Sequence, residues 1–248
     1  MAKDNDYYFN PRDCHQFLLN NIERKLAFDP EWDFTAWQQE MGRILKKIIG
    51  DMPDEVPLNI RTEYDKKRDG YQEKKFVFPA EKYADIPCHL LIPEGKGPFP
   101  VIITLQGHSS GMYLSLGEVR KEGDRESLAG DRDFALQAVE NGYAALVMEQ
   151  RCFGEREDNC RKEGSRCHQA AMTALLLGRT MIGERVWDVM RAIDVLESFP
   201  EIDNTKIGLM GNSGGGTIAY YASCLEPRIN AVMPSCAICR YKDSIGSI

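Results

Sequence analysis

A mostly parallel sheet flanked by helices, with a helical arm in front of it, is the α/β fold class that this sequence of 248 residues predicts. Two short and almost wholly apolar runs, Pro100–Leu105 and Tyr143–Met148, have the composition of strands buried on both faces, which is how parallel strands lie. Segments with helical spacing alternate with such runs, and that alternation is the mark of an α/β sheet. A glycine-rich turn, Gly211-Asn212-Ser213-Gly214-Gly215, stands between one apolar run and one helical stretch.

Taken in order, residues 1–70 read as the helical arm and 71–248 as the α/β core. Phe17, Leu18, Ile22 and Leu26 suggest a first helix. Phe34, Trp37, Met41, Ile44, Leu45 and Ile48 follow helical spacing, and Gly50 with Pro53 stops the run. Asp69-Gly70 is a hairpin turn pair, after which Phe76–Phe78 and Cys88–Ile92 read as short strands. The strand Pro100–Leu105 follows. Asp133–Glu140 can form a helix that Asn141-Gly142 would cap, leading into the strand Tyr143–Met148. Val186, Val189, Ile193 and Leu196 make a helical stripe closed by Pro200. Lys206–Met210 reads as a strand, Gly215–Leu225 as a helix and Ile229–Met233 as a further strand.

Composition narrows the function classes. With 38 acidic and 31 basic residues the formal charge is −7, so a phosphate backbone is a poor partner and no nucleic-acid role is expected. The basic cluster Lys66, Lys67, Arg68 runs straight into Asp69 and reads as a solvated turn. No uncharged stretch is free of glycine and proline over a membrane-spanning length, and the opening MAKDNDYYFN has no apolar h-region. A cytoplasmic location is the expectation, with the eight cysteines as reduced thiols. Cys152, Cys160, Cys167 and His168 are spaced too widely for a usual zinc site, so no metal is expected; the stretch reads as a lid insertion. Cys236 and Cys239 form a CxxC that follows a strand and reads as two small buried thiols.

The chemistry is carried by Ser213. A serine on a sharp strand-to-helix turn takes strained backbone angles, and residues two positions either side come too close for side chains, hence Gly211 and Gly215. The turn lifts the hydroxyl clear of the sheet and points the first helical N–H groups at the same place, where negative charge is favoured. The loop after the strand Pro100–Leu105 reads Gln106-Gly107-His108-Ser109-Ser110-Gly111. In an acyl-transfer site of this type that loop supplies one oxyanion N–H and the residue after the nucleophile supplies the other. The donors are then the backbone N–H groups of His108 and Gly214; the His108 side chain itself reads as a loop residue.

From about Gly70 onward the chain resembles the α/β-hydrolase superfamily, and within it the acetyl xylan esterase and dienelactone-hydrolase-like esterases of bacteria. The resemblance rests on Asp69–Tyr71, Leu90–Pro93, Gln106–His108, Gln150–Glu155, Gly183–Asp188 and Gly211–Gly215, in the family's order. It implies a serine ester hydrolase for small acyl esters, such as acetylated carbohydrates, that uses no cofactor; a homo-oligomer is compatible with it. Gln106 departs from the histidine that many relatives carry there. In this fold an acid and then a histidine follow the serine, yet no histidine follows Ser213, and the acids there are Glu226 and Asp243. The sequence is therefore read as an α/β-hydrolase core that stops after the strand following the nucleophile helix. Its acid and histidine would lie beyond Ile248, so that the 248-residue form is expected to be inactive or nearly so. An inactive relative, or an upstream histidine among His15, His89, His108 and His168 in place of the usual base, are the other readings of the missing histidine; a non-catalytic interaction module and a serine peptidase of the prolyl-oligopeptidase type are the alternatives in function.

Overall fold

A computed structural model describes residues 7–108, 110–157 and 166–245. Its centre is a seven-stranded sheet of β1 (Arg61–Lys67), β2 (Tyr71–Glu81), β3 (Ala84–Pro93), β4 (Phe99–Leu105), β5 (Ala144–Met148), β6 (Ile202–Asn212) and β7 (Ile229–Ser235), ordered β1-β2-β3-β5-β4-β6-β7. This is the α/β-hydrolase architecture the sequence predicts. The pairings from β1 through β3 to β5 are antiparallel, and those from β5 through β4 and β6 to β7 are parallel. Connection length explains the division. Arg68–Gly70 and Lys82–Tyr83 join their strands by tight turns, which only antiparallel neighbours permit, whereas parallel strands need a crossover. In the first turn Gly70 adopts φ 79° and the Arg68 N–H donates to the Tyr71 carbonyl at 2.8 Å.

Residues 61–67, inside the stretch read as a helical arm, form β1 and pair with β2. The sequence hid this strand because its residues, RTEYDKK, are polar and almost all exposed. Within residues 7–48 the helices are α1 (Pro11–Asn21) and α2 (Phe34–Ile48). The α1 helix begins with the Asn10 side chain accepting from the Arg12 N–H and with Pro11 in the first turn, both good starting residues. It stops at Asn21, since Ile22 is extended with ψ 128°, so Ile22 and Leu26 lie outside it. By proximity along the backbone the chain divides into Met1–Ile44 with Cys239–Ile248, and Leu45–Ile238.

In the second unit, α4 (Phe134–Glu140), α6 (Met181–Leu196) and α7 (Gly214–Leu225) match the helical stripes of the sequence. α3 (Asp124–Ala129) and α5 (Arg166–Leu176) complete the connections, and α8 (Tyr241–Ile245) closes the described chain. Val186, Val189, Ile193 and Leu196 of α6 are buried with Ile103 and Leu105 of β4, Leu146 of β5 and Leu209 of β6. Each such side chain contributes about 1.5–3 kcal/mol by leaving water. On the other face, α4 packs Ala135, Ala138 and Val139 against Leu91, Ala145 and Val147. Helices thus cover β4 from both faces, and the turns that build the site follow the C-terminal ends of β4 and β6.

Candidate active site

Ser213 immediately follows β6 and precedes α7, with φ 51° and ψ −118°. An L-residue at positive φ with that ψ is strained, and such strain persists only where the surroundings impose it. They do so here from both sides. The Ser213 N–H donates to the Ser235 carbonyl at the end of β7 at 2.8 Å, and the Ser213 carbonyl accepts from the Thr217 N–H at 2.9 Å as the first turn of α7 forms. The side chain is half-buried, and among the described residues its hydroxyl makes no hydrogen bond. A Cβ added to Gly211 would lie 2.8 Å from Gly216 N and closer still to the Gly215 carbonyl. One added to Gly215 would lie 2.6 Å from the Gln106 carbonyl and would overlap that of Leu105. Both glycines are therefore dictated by close backbone packing.

The loop after β4 lies against this turn. A Cβ on Gly107 would sit 3.1 Å from the Ser213 Cβ and 3.1 Å from the Asn212 carbonyl. A Cβ on Gly214 would sit 2.6 Å from His108 Nδ1, so the imidazole covers the residue after the serine. The His108 ring also meets the Phe153 ring edge-on at 5.0 Å, and the Arg185 guanidinium lies 4.3 Å over the far partner, Phe153. Partial desolvation of the ring, though His108 as a residue is exposed, and then the Arg185 charge lower its pKa below the usual histidine value, so the imidazole is neutral at pH 7. Among the described residues it is paired with no carboxylate. Gln106 is buried and its amide donates to Ser115 Oγ and to the Arg132 carbonyl, both at 2.8 Å. Glutamine thus buttresses the loop.

The remaining expected or weighed residues fall elsewhere. His89 is buried on β3, its Nδ1 2.7 Å from Glu73 Oε1. Glu226 lies at the C-terminal end of α7, opposite Ser213, where Arg228 holds its carboxylate at 2.7 Å. Asp243 pairs with Arg240 at 2.6 Å. Cys160 is outside the described residues; Cys236 and Cys239 are exposed rather than buried. Among the described residues no group of three or more His, Cys, Asp or Glu could hold a metal ion, and no helix is long and apolar enough to cross a membrane. A shallow depression of about 440 Å³ bordered by Tyr71, Phe99 and Glu201 lies where β4 begins, at the end of the parallel strands opposite Ser213.

Residues 150–155 and 183–188, which carry the family resemblance without a role legible in the sequence, build an ion-pair network. Asp188 of α6 is fully buried and accepts from Arg151 Nε at 2.9 Å, Arg151 NH2 at 2.8 Å and Arg156 NH1 at 2.6 Å. Burial alone would raise its carboxyl; Arg156 and Arg151 more than reverse this and leave the pKa lowered. Glu81 and Glu184 surround the same Arg151 guanidinium at 2.7 and 3.2 Å. The network anchors residues 150–156, the segment that places Phe153 beside His108.

A family model for acetyl xylan esterases matches residues 55–245. The chain belongs to the acetyl xylan esterase family. Among curated proteins it is 23% identical over 199 residues to the "putative hydrolase YtaP" of Bacillus subtilis, spanning 80% of this chain and 64% of that protein. Among solved structures, a "putative acetyl xylan esterase" from Bacteroides fragilis superposes with a TM-score of 0.78 at 20% identity, covering 94% of this chain and 62% of that one. A glucuronoyl esterase from Solibacter usitatus gives 0.60 at 17% identity, over 84% of this chain and 62% of that one. At these identities the structural likeness establishes the shared fold. The chain thus spans less than two thirds of the length of each of these relatives.

Proposed function

We propose that this acetyl xylan esterase family member is a serine ester hydrolase acting on small acyl esters of carbohydrates. Ser213 is the nucleophile, and the backbone N–H groups of His108 and Gly214 form the oxyanion hole. The observation that carries the reading is the strained Ser213 backbone, φ 51° and ψ −118°, at the junction of β6 and α7 with Gly107 packed against its Cβ. Strain of that kind costs free energy and is retained where geometry serves chemistry.

In the proposed reaction the Ser213 Oγ attacks the ester carbonyl carbon while a base accepts its proton. The carbonyl π pair moves onto oxygen, and the resulting oxyanion takes hydrogen bonds from the two N–H groups. Collapse breaks the bond to the alcohol oxygen, which leaves with a proton, and water then releases the acid from the acyl-serine. Each oxyanion donor contributes about 3–4 kcal/mol to the transition state. Among the described residues no carboxylate-paired histidine accompanies Ser213, so the base is the element the experiment must locate. The 248-residue chain and the product of its whole reading frame are each incubated with p-nitrophenyl acetate and a fluorophosphonate probe. Hydrolysis and labelling at Ser213 in the whole product, both abolished by Ser213→Ala, are expected. If the whole product neither hydrolyses the ester nor labels, the reading fails and a non-catalytic interaction module takes its place.

A further inference from the structure

Glu149 directly follows β5 and is 2% exposed. Its two carboxylate oxygens accept from the Met112 N–H at 3.1 and 3.2 Å, and Oε2 also accepts from the Glu155 N–H at 3.2 Å. Among the described residues no cation forms an ion pair with it. Arg156 spends its NH1 on the Glu149 backbone carbonyl at 3.0 Å and on Asp188 at 2.6 Å.

The carboxylate therefore joins two loops. One runs from Gln106 to Met112 and carries the His108 N–H. The other is the turn after β5. The surrounding residues are shaped around this join. Gly154 adopts φ 43°, and a Cβ there would overlap Glu149 Oε2, so the turn folds over the carboxylate only as glycine. A Cβ on Gly111 would lie 3.0 Å from the Gly154 Cα, which puts the two loops in contact. The neighbouring Gln150 amide donates to the Gln106 carbonyl at 2.5 Å, and Ser110 Oγ donates to the Gly107 carbonyl at 2.6 Å. Gln150 thus holds the start of the loop, Glu149 holds its end, and Ser110 braces the interior.

We propose that Glu149 is a positioning residue for the oxyanion site: its carboxylate ties the Gln106–Met112 loop to the turn after β5 and so fixes the His108 N–H against Ser213. The inference rests on the ester-hydrolase reading for its consequence in catalysis and on the hydrogen bonds alone for its structural part. Burial raises the Glu149 carboxyl, opposed by the Glu155 and Met112 N–H groups, reinforced by the Glu155 carboxylate and again opposed by Arg156; the result is about 7. The other titratable groups facing it are Tyr113 in the turn after the loop, Cys88 of β3 and, beyond Arg156, Asp188 of α6. Above about pH 7 the carboxylate is charged and buried without an ion-pair partner among the described residues, and opening the join lets water reach it, so the join loosens as pH rises through 7.

The test follows amide hydrogen exchange at Met112 and Glu155 by NMR in the 248-residue chain between pH 5 and pH 9, corrected for intrinsic exchange. Protection of both amides is expected to fall through pH 7 in the wild type and to stay level in Glu149→Gln. In whichever form hydrolyses p-nitrophenyl acetate, kcat of Glu149→Gln is expected to fall by up to about a hundredfold with KM little changed, the scale of a small misplacement in a catalytic site. The ratio of wild-type to variant kcat should fall with pH through 7, and a base common to both cancels in that ratio. Wild-type protection independent of pH, or a ratio that does not change with pH, overturns the proposal. The exchange arm needs neither the variant nor activity. If Ser213 proves unreactive, the ester reading fails while Glu149 is still judged by its amides.

Discussion

Replacing Ser213 by glycine should stabilise the protein while abolishing ester hydrolysis. The φ of 51° with ψ of −118° lies outside the left-handed helical well that non-glycine residues visit at modest cost. Backbone held in such regions costs about 1–3 kcal/mol. Glycine removes the Cβ clash and so most of that cost, but its extra freedom in the unfolded chain returns about 0.5–1 kcal/mol. The net gain over alanine, which keeps the Cβ, is about 1–2 kcal/mol. Since the hydroxyl makes no hydrogen bond among the described residues, deleting it does not distinguish the two variants. For a chain of this size that gain raises the melting temperature by roughly 2–8 °C. Urea and thermal unfolding of Ser213→Gly and Ser213→Ala measure the difference, and both variants should fail to hydrolyse p-nitrophenyl acetate. A glycine variant no more stable than the alanine variant would show that the turn is not strained. Ser213 would then be an ordinary turn residue with no strained backbone to mark it as the nucleophile.

Asp188→Asn should destabilise the core by about 3–5 kcal/mol, because removing one partner leaves a buried charge uncompensated, here that of Arg156, while Arg151 keeps Glu81 and Glu184; a urea midpoint unchanged from wild type would refute this. Glu149 also gives stability a definite pH dependence. Its carboxyl is raised from 4.5 to about 7 on folding, so below 4.5 it is protonated in both states and contributes nothing. Between 4.5 and 7 only the folded chain holds the proton, and stability falls as pH rises, by about 3 kcal/mol once pH exceeds 7. Glu149→Gln does not titrate and should gain on the wild type by up to that amount between pH 4.5 and pH 8, whereas urea midpoints that move in parallel would refute the assignment.

The serine turn was legible because its cause is local. Gly211 and Gly215 flank Ser213 within five residues, and strand, turn and helix follow one another along the chain. The hairpin at Asp69-Gly70 and the buried strands before His108 and Glu149 were legible for the same reason. β1 was not, because a polar edge strand has no hydrophobic alternation to reveal it, and its place depends on pairing with β2. Gln106 read as a departure from the family and proved to be a working buttress, since its partners, Ser115 and Arg132, come from separate turns.

What the sequence by itself determined, then, are those features whose physics acts between neighbours along the chain: the apolar periodicities, the glycine turns and the serine lifted on one of them. Tertiary structure alone decided the surroundings of that serine. Glu149 meets Met112 across 37 residues and Gln150 meets Gln106 across 44, because β5 pairs beside β4 in the sheet. Burial there sets the charge state of Glu149, and a carboxyl's desolvation depends on everything packed around it, which no stretch of neighbouring residues encodes.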